Sequence, residues 1–304
     1  MQKYYTPYSA SDLAARLRKI RHVALDMDGT IYLGGEIFPF TLDFLATLKR
    51  LGIDYSFLTN NPSKSMADYL EKLRKMGVPA VREEMYNTAV ATIQTIKETL
   101  PDAKKLYIMG TQSMISEFTD AGFISTADDP NDEPDAVVVA FDMELTYARL
   151  CRAAWWISRK KPYFATNPDF VCPTNQPTVL VDCGSMCACL AAATGRKPDV
   201  MQGKPDPRML DGILHKYGLK NDEIAMCGDR IYTDIKMAQN ADAFGVLVLT
   251  GETKLETALA NDPNPDLTVP SLKEFGEMLA QIKSGEWDRN APENVASGDL
   301  LGKH

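Results

Sequence analysis

Between residues 9 and 77 the chain alternates short apolar runs with amphipathic stretches, and this alternation restricts the fold more than any other feature. Residues 9–20 have the spacing of an amphipathic helix. Residues 22–26 are an apolar run that ends on a carboxylate, Asp26. Residues 39–51 return to helical periodicity and stop at Gly52, a C-terminal breaker. Residues 53–58 read as a second strand, followed by Thr59, Asn60 and Asn61. Asn61-Pro62 supplies an N-cap and a first-turn proline for a helix reaching Met76, which Gly77 closes. Strands separated by helices imply an α/β fold, a Rossmann-like parallel sheet with helices on both faces. The pattern returns near the C-terminus. Residues 206–217 read as a helix ended by Gly218, and 224–227 as a strand leading into Gly228-Asp229-Arg230. A helix begins at Asp234, and 244–249 is another buried strand.

The intervening stretch has elements of its own. Strands are expected at 106–109, 136–141, 163–166 and 179–181, and helices at 87–100, 111–121, 146–160 and 184–194. Residues 128–134, rich in Asp and Pro, read as a loop. A chain of 304 residues is long enough for two domains. The expected organisation is therefore a discontinuous core over 1–82 and 201–285, a second α/β domain inserted at 83–200, and a polar tail at 286–304.

The formal net charge of −8 argues against a nucleic-acid polymer or an anionic membrane as partner, since both need a basic face. It leaves room for a small phosphorylated metabolite, because a bound cation and a few local donors can reverse the sign inside a site. No stretch approaches the roughly 18 apolar residues of a membrane span. Residues 1–11 carry no apolar leader-like run, so a cytoplasmic location is expected. Six cysteines in a chain of this length do not form a disulfide framework. Cys183, Cys187 and Cys189 fall in a small-residue helical stretch and read as buried thiols rather than as a metal site.

Candidate chemistry sits at the strand ends. In a parallel sheet the carboxyl ends of the strands converge on one crevice. That rule groups Asp26 and Asp28, Thr59 and Asn60, and Asp229 and Asp234. Lys204, in Gly203-Lys204-Pro205, lies where the chain re-enters the core. Several carboxylates in one crevice repel each other unless a cation holds them. All-oxygen donors suit magnesium, and the absence of His and Cys among them disfavours zinc. A hydroxyl, backbone amides and an ammonium are the donors a phosphoryl group needs. With no serine–histidine pair, the nucleophile is a carboxylate, and a second carboxylate two residues on can act as acid and then base. Alone, Asp26-Met27-Asp28-Gly29 is a turn sequence, and Asp229 or Asn60 alone could be a helix cap. Together and in this order the segments are harder to explain as turns and caps.

These segments resemble the four motifs of the haloacid dehalogenase superfamily: Asp26-Met27-Asp28-Gly29-Thr30, Thr59-Asn60-Asn61, Lys204, and Gly228-Asp229 with Asp234. The likeness spans about residues 20–270 and is greatest to the branch with a C2-type cap, which includes the NagD-like sugar phosphatases and p-nitrophenyl phosphatases. Residues 165–169, 183–185 and 203–207 also look like that branch. The resemblance implies a magnesium-dependent phosphatase of small phosphomonoesters. Asp26 would be the nucleophile and a metal ligand. Asp28 would be the acid/base, with its backbone carbonyl on the metal. Gly29, Thr59, Asn60, Asn61 and Lys204 would bind phosphate. Asp229 would complete the metal site, with Asp234 a ligand or just behind one. The cap would close over the crevice and contact the leaving group, with Asn167 and Asp169 as candidates; a plain Asn-Pro-Asp turn is the competing reading there. An aspartate at position 28 points to phosphomonoester hydrolysis, because dehalogenating members lack it and ion pumps carry threonine.

Three alternatives stay open. A phosphomutase or phosphotransferase would pass the group to an alcohol. A binding or regulatory protein would keep the fold without turnover. A phosphoacceptor receiver domain also uses strand-end aspartates, threonine and lysine, but the insertion and the place of Lys204 disfavour it. Assembly into a homo-oligomer through the cap is likewise open.

Overall fold

The computed structural model describes residues 4–60, 66–172, 177–261 and 263–287. The chain forms two compact units, one of Met1–Leu58, Lys75–Pro79 and Ile213–His304, the other of Thr59–Arg74 and Ala80–Gly212.

In the first unit five parallel strands lie in the order Leu267–Val269, Phe244–Val248, Ile224–Gly228, His22–Asp26 and Asp54–Thr59. The strand that comes first in sequence is thus flanked by the second and by one from the C-terminal third. Asp26 stands opposite Leu58, the residue before Thr59, and Leu25 stands opposite Cys227. Because all the strands run one way, their carboxyl ends share an edge. Helix Ala10–Lys19 starts at Ser9, whose hydroxyl accepts the Asp12 N–H, and buries Leu13, Ala14 and Leu17. Helix Thr41–Arg50 meets helix Leu272–Ser284 through Phe44 and Phe275, whose ring centroids are 5.9 Å apart. Trp287 is buried with its indole N–H donated to the Ala10 carbonyl.

His22 gives this unit a built-in acid sensitivity. Its ring is buried, packs at a tilt against Tyr217 with centroids 4.5 Å apart and shares a 3.0 Å hydrogen bond between Nε2 and Ser56 Oγ. Burial, and secondarily the nearby Lys216, push its pKa down to about 3 from the usual 6.5. The stability that goes with a neutral ring is therefore complete above pH 6.5 and lost as pH falls from 6.5 toward 3. The melting temperature of the wild type should fall toward that of His22→Gln through this window, and run parallel to it above neutrality. A gap that stays constant with acidification would contradict the assignment.

The second unit carries its own parallel sheet, ordered Val200–Met201, Tyr163–Ala165, Ala136–Val139, Lys105–Met109 and Ile124–Ser125. Strand alternation sorts its core into two layers. Tyr107, Met109, Val137, Val139, Tyr163 and Ala165 face helices Tyr147–Ser158 and Cys183–Thr194. Leu106, Ile108, Ala136, Val138 and Phe164 face helices Thr88–Thr99 and Gln112–Asp120. Covered on both sides, Ala136–Val139 has no polar position at all, as a central parallel strand should.

Most sequence-predicted elements recur within a residue or two, with instructive departures. The strand expected at 179–181 is outside the sheet: Leu180–Val181 pairs antiparallel with Val171–Cys172 as a short ribbon. The helix expected from Asn61 is seen from Met66, since residues 61–65 lie outside the described residues. Asp234 sits in a π-helical turn, Ile231–Ile235, and the α-helix proper is Lys236–Asn240. All six cysteines are free. Cys183 and Cys187 are buried one turn apart, and the Cys183 thiol donates to the Val139 carbonyl at 3.2 Å. Cys189, about 200° around the helix from Cys187, is exposed and not buried. Among the described residues no helix is long and apolar enough to cross a membrane.

Candidate active site

In the first unit, Asp26 ends its strand, Asp229 directly follows the strand Ile224–Gly228, and Asp234 hangs from the π-helical turn behind it. Their carboxylates are brought together, one oxygen from each lying within 4.8 Å of the others. Asp229 and Asp234 are buried, and Asp26 is partly exposed. Each of the three has a donor, a hydroxyl for Asp26 and a backbone N–H for the other two. Thr30 Oγ1 donates to Asp26 at 3.4 Å, the Glu252 N–H to Asp229 at 2.7 Å, and the Arg230 N–H to Asp234 at 3.1 Å. Two glycines leave room for Asp229. Gly29 has φ +85°, and a Cβ on it would lie 2.6 Å from an Asp229 oxygen; at Gly251 the distance would be 2.0 Å. Only a residue without Cβ fits at either place.

Three carboxylates so close, two of them cut off from water, fit a hard divalent cation held through oxygen. Asp28 is outside the trio, with an exposed side chain between the buried Met27 and Gly29. The Gly29 N–H donates to the Tyr32 carbonyl at 2.7 Å, and the Gly29 carbonyl accepts from Thr250 Oγ1 at 2.6 Å. Gly29 therefore serves as the turn beside Asp229, and its amide is already engaged.

The other sequence-predicted residues belong to the second unit, within which most of them are joined. The Asn60 carboxamide holds the backbone of Lys204, accepting its N–H at 2.7 Å and donating to its carbonyl at 3.1 Å. Asn60 Nδ2 also reaches Asp169 at 3.4 Å. Asn167 is fully buried and donates to the Asn60 carbonyl and to Asp182 Oδ1, both at 3.2 Å. Asp182 caps helix Cys183–Thr194. Burial lifts its pKa to about 6, with Asp169 adding to the rise and the Cys183 N–H and Asn167 opposing it. Thr59 and Lys204 are buried, and Asn61 lies outside the described residues.

Sequence reasoning passed over Asp182 and the segment Thr250-Gly251-Glu252. The latter follows the strand Phe244–Val248, so the strand-end rule applied once more would have found it. Glu252 also pairs with Arg230 Nε at 3.0 Å and accepts from the Tyr232 hydroxyl at 2.8 Å. Asp182 had a local signal too, an acid standing before a helix of small residues.

Two family profiles match the chain. One, described as haloacid dehalogenase-like hydrolase, covers residues 23–124, and the other, HAD-hydrolase-like, covers residues 201–275. An acid sugar phosphatase of Staphylococcus aureus is 30% identical over 267 residues, 88% of this chain and 100% of that protein. The chain belongs to the haloacid dehalogenase-like hydrolases. Solved structures agree with that membership. The 4-nitrophenylphosphatase from Thermotoga maritima superposes with a TM-score of 0.80 at 37% identity, covering 86% of this chain and 98% of that one. The glycerol phosphate phosphatase from Mycobacterium tuberculosis, solved in complex with magnesium, has a TM-score of 0.78 at 26% identity, with 87% and 79% covered. Within the family this chain is an enzyme of the phosphomonoester hydrolase type. Asp26, Asp28 and Thr59 fall in the first matched segment, and Lys204, Asp229 and Asp234 in the second. Asn167, Asp169 and Asp182 lie in the stretch between, which neither profile covers.

Proposed function

We propose that this member of the haloacid dehalogenase-like hydrolases is a magnesium-dependent phosphatase of small phosphomonoesters, such as sugar phosphates, working through an aspartyl phosphate on Asp26. The observation that carries the reading is the gathering of Asp26, Asp229 and Asp234. The names of the relatives support it: an acid sugar phosphatase, a 4-nitrophenylphosphatase and a magnesium-bound glycerol phosphate phosphatase.

Asp26, Asp229 and Asp234, with the Asp28 carbonyl, would hold the cation, which when bound offsets the charge of both phosphoryl group and carboxylates. One Asp26 oxygen attacks phosphorus, and the bond from phosphorus to the leaving oxygen breaks. Asp28, protonated at that stage, gives its proton to the departing alcohol. It then takes a proton from the water that attacks the aspartyl phosphate, which returns Asp26 as a carboxylate and releases inorganic phosphate. Thr59 and the Lys204 ammonium are the proposed phosphoryl ligands, with Asn61 as a further one from its motif. Residues 83–200 are the proposed cap that selects the leaving group, with Asp169 as its candidate contact. Six free cysteines accord with a reducing cytoplasmic location.

A screen of phosphorylated metabolites with magnesium tests this directly. Release of inorganic phosphate without added alcohol is expected, and release only when an alcohol acceptor is supplied would favour a phosphotransferase. Asp28→Asn should slow hydrolysis of a sugar phosphate by about 10²–10⁴-fold, the range of general acid–base catalysis. The loss should be smaller for p-nitrophenyl phosphate, whose leaving group departs without a proton. Equal losses would remove Asp28 from the acid role.

Self-association through the second unit completes the reading. On helices Tyr147–Ser158 and Cys183–Thr194, which pack side by side, the exposed residues include Tyr147, Cys151, Trp155, Ala188, Cys189, Ala192 and Ala193, and none within the helices is charged, the capping Arg159 standing over the Trp155 ring. In a chain with 24% charged residues such a face is unusual, and the expected result is a dimer in sedimentation. A monomer at micromolar concentration would contradict it.

A further inference from the structure

Asn60 and Lys204 are 144 residues apart in sequence, yet in the second unit one side chain satisfies both backbone groups of the other residue. The Asn60 carboxamide does for Lys204 what a neighbouring strand would do, accepting at Oδ1 from N–H and donating from Nδ2 to C=O. Asn60 is held in turn through its own carbonyl, by Asn167 Nδ2. That nitrogen also reaches Asp182 Oδ1, which accepts the Cys183 N–H at 2.6 Å, at the start of helix Cys183–Thr194. Asn167, Asp182 and Lys204 are each at most 3% exposed. The atoms that make these bonds are spent on protein, and of the Asn167 carboxamide only Nδ2 takes part, its Oδ1 being buried without a partner among the described residues.

We infer that Asn60, Asn167 and Asp182 are positioning residues, linked in series from the N-terminus of helix Cys183–Thr194 to the backbone of Lys204, and that they set where the Lys204 ammonium stands. The inference rests on the reading of Lys204 as a phosphoryl ligand. It replaces direct phosphate contact by the Asn60 side chain, and substrate contact by Asn167, with an indirect role. A lysine side chain has four rotatable bonds, so its charge is placed reliably only when its own backbone is fixed. A displacement of about 1 Å can cost on the order of 10²-fold in rate.

The test uses the full-length protein with saturating magnesium and inorganic phosphate as the probe, its affinity measured by calorimetry. Asn60→Ala, Lys204→Ala and the double variant are compared, with KM and kcat for p-nitrophenyl phosphate alongside. Lys204→Ala should weaken phosphate binding by at least about tenfold and Asn60→Ala by a comparable factor. The double variant should be no weaker than Lys204→Ala, since residues that act through one another are not additive. Asn167→Ala, one bond further away, should show a smaller loss in the same direction. If Asn60→Ala fails to fold, Asn60→Asp carries the same comparison. It keeps an acceptor for the Lys204 N–H and sets an oxygen against the Lys204 carbonyl. A lowered melting temperature with unchanged phosphate affinity would make the network merely structural and overturn the inference. Additive losses in the double variant would mean that Asn60 acts on phosphate itself, which also overturns it. Unchanged phosphate affinity in Lys204→Ala would refute the reading of Lys204, and the inference with it. Loss in Lys204→Ala with none in Asn60→Ala removes the inference alone.

Discussion

Asp26→Asn is expected to lower turnover by on the order of 10⁴-fold or more, the scale on which removal of a covalent nucleophile acts. The amide keeps the size of the side chain and can still accept from Thr30, but it cannot form the acyl phosphate. The fold should not suffer. The substitution takes one negative charge from a group of three carboxylates within 4.8 Å, so the metal-free protein should melt no lower than the wild type. Both outcomes are needed. Lost activity with a collapsed melting temperature would say nothing of chemistry, and substantial residual activity in a folded variant would remove Asp26 as nucleophile.

Chelation of divalent metal is expected to abolish turnover, and magnesium to restore it. At about 4–5 Å each pair of charges repels by roughly 3–4 kcal/mol at an effective dielectric near 20, so the empty trio strains the fold and the filled one relieves it. Magnesium at about 100 times its dissociation constant adds about 2.7 kcal/mol of stability. That corresponds to a rise on the order of 5 °C in melting temperature. Asp229→Asn should reverse this signature. Without metal it should melt at or above the wild type, because one charge is gone while its oxygen can still accept the Glu252 N–H. With magnesium it should gain little. An equal magnesium-induced rise in both proteins would place the cation elsewhere.

Much of this was legible in the sequence, for a definite reason. The strand-end aspartates follow apolar runs whose two-sided burial leaves an unbroken hydrophobic signature, as at residues 23–25 and 224–227. Parallel pairing then brings their ends to one edge. What stayed hidden depends on short elements or on distant partners. Ile124–Ser125 and Val200–Met201 have two residues each, too few to show any period. Leu180–Val181 has the composition of a core strand, but its partner is a neighbouring ribbon strand, and composition does not name partners. The π-helical turn that carries Asp234 has no sequence rule, and the acid is legible through its place in the motif that starts at Gly228-Asp229. Asn60 is expected among the phosphate ligands because Thr59-Asn60-Asn61 resembles the family's second motif. Its side chain binds main-chain atoms of residue 204, and main-chain atoms leave no mark in a sequence.

Rapid acid quenching during turnover of a small phosphomonoester with magnesium, followed by mass spectrometry of the proteolysed chain, asks the central question most directly. Acid stops the second half of the reaction while leaving an acyl phosphate intact long enough to be mapped. The predicted result is a phosphoryl group on the peptide containing Asp26, converted by borohydride to the reduced side chain at that residue and missing in Asp26→Asn. Phosphate release at full rate with no label on that peptide, or with label on another residue, would contradict it.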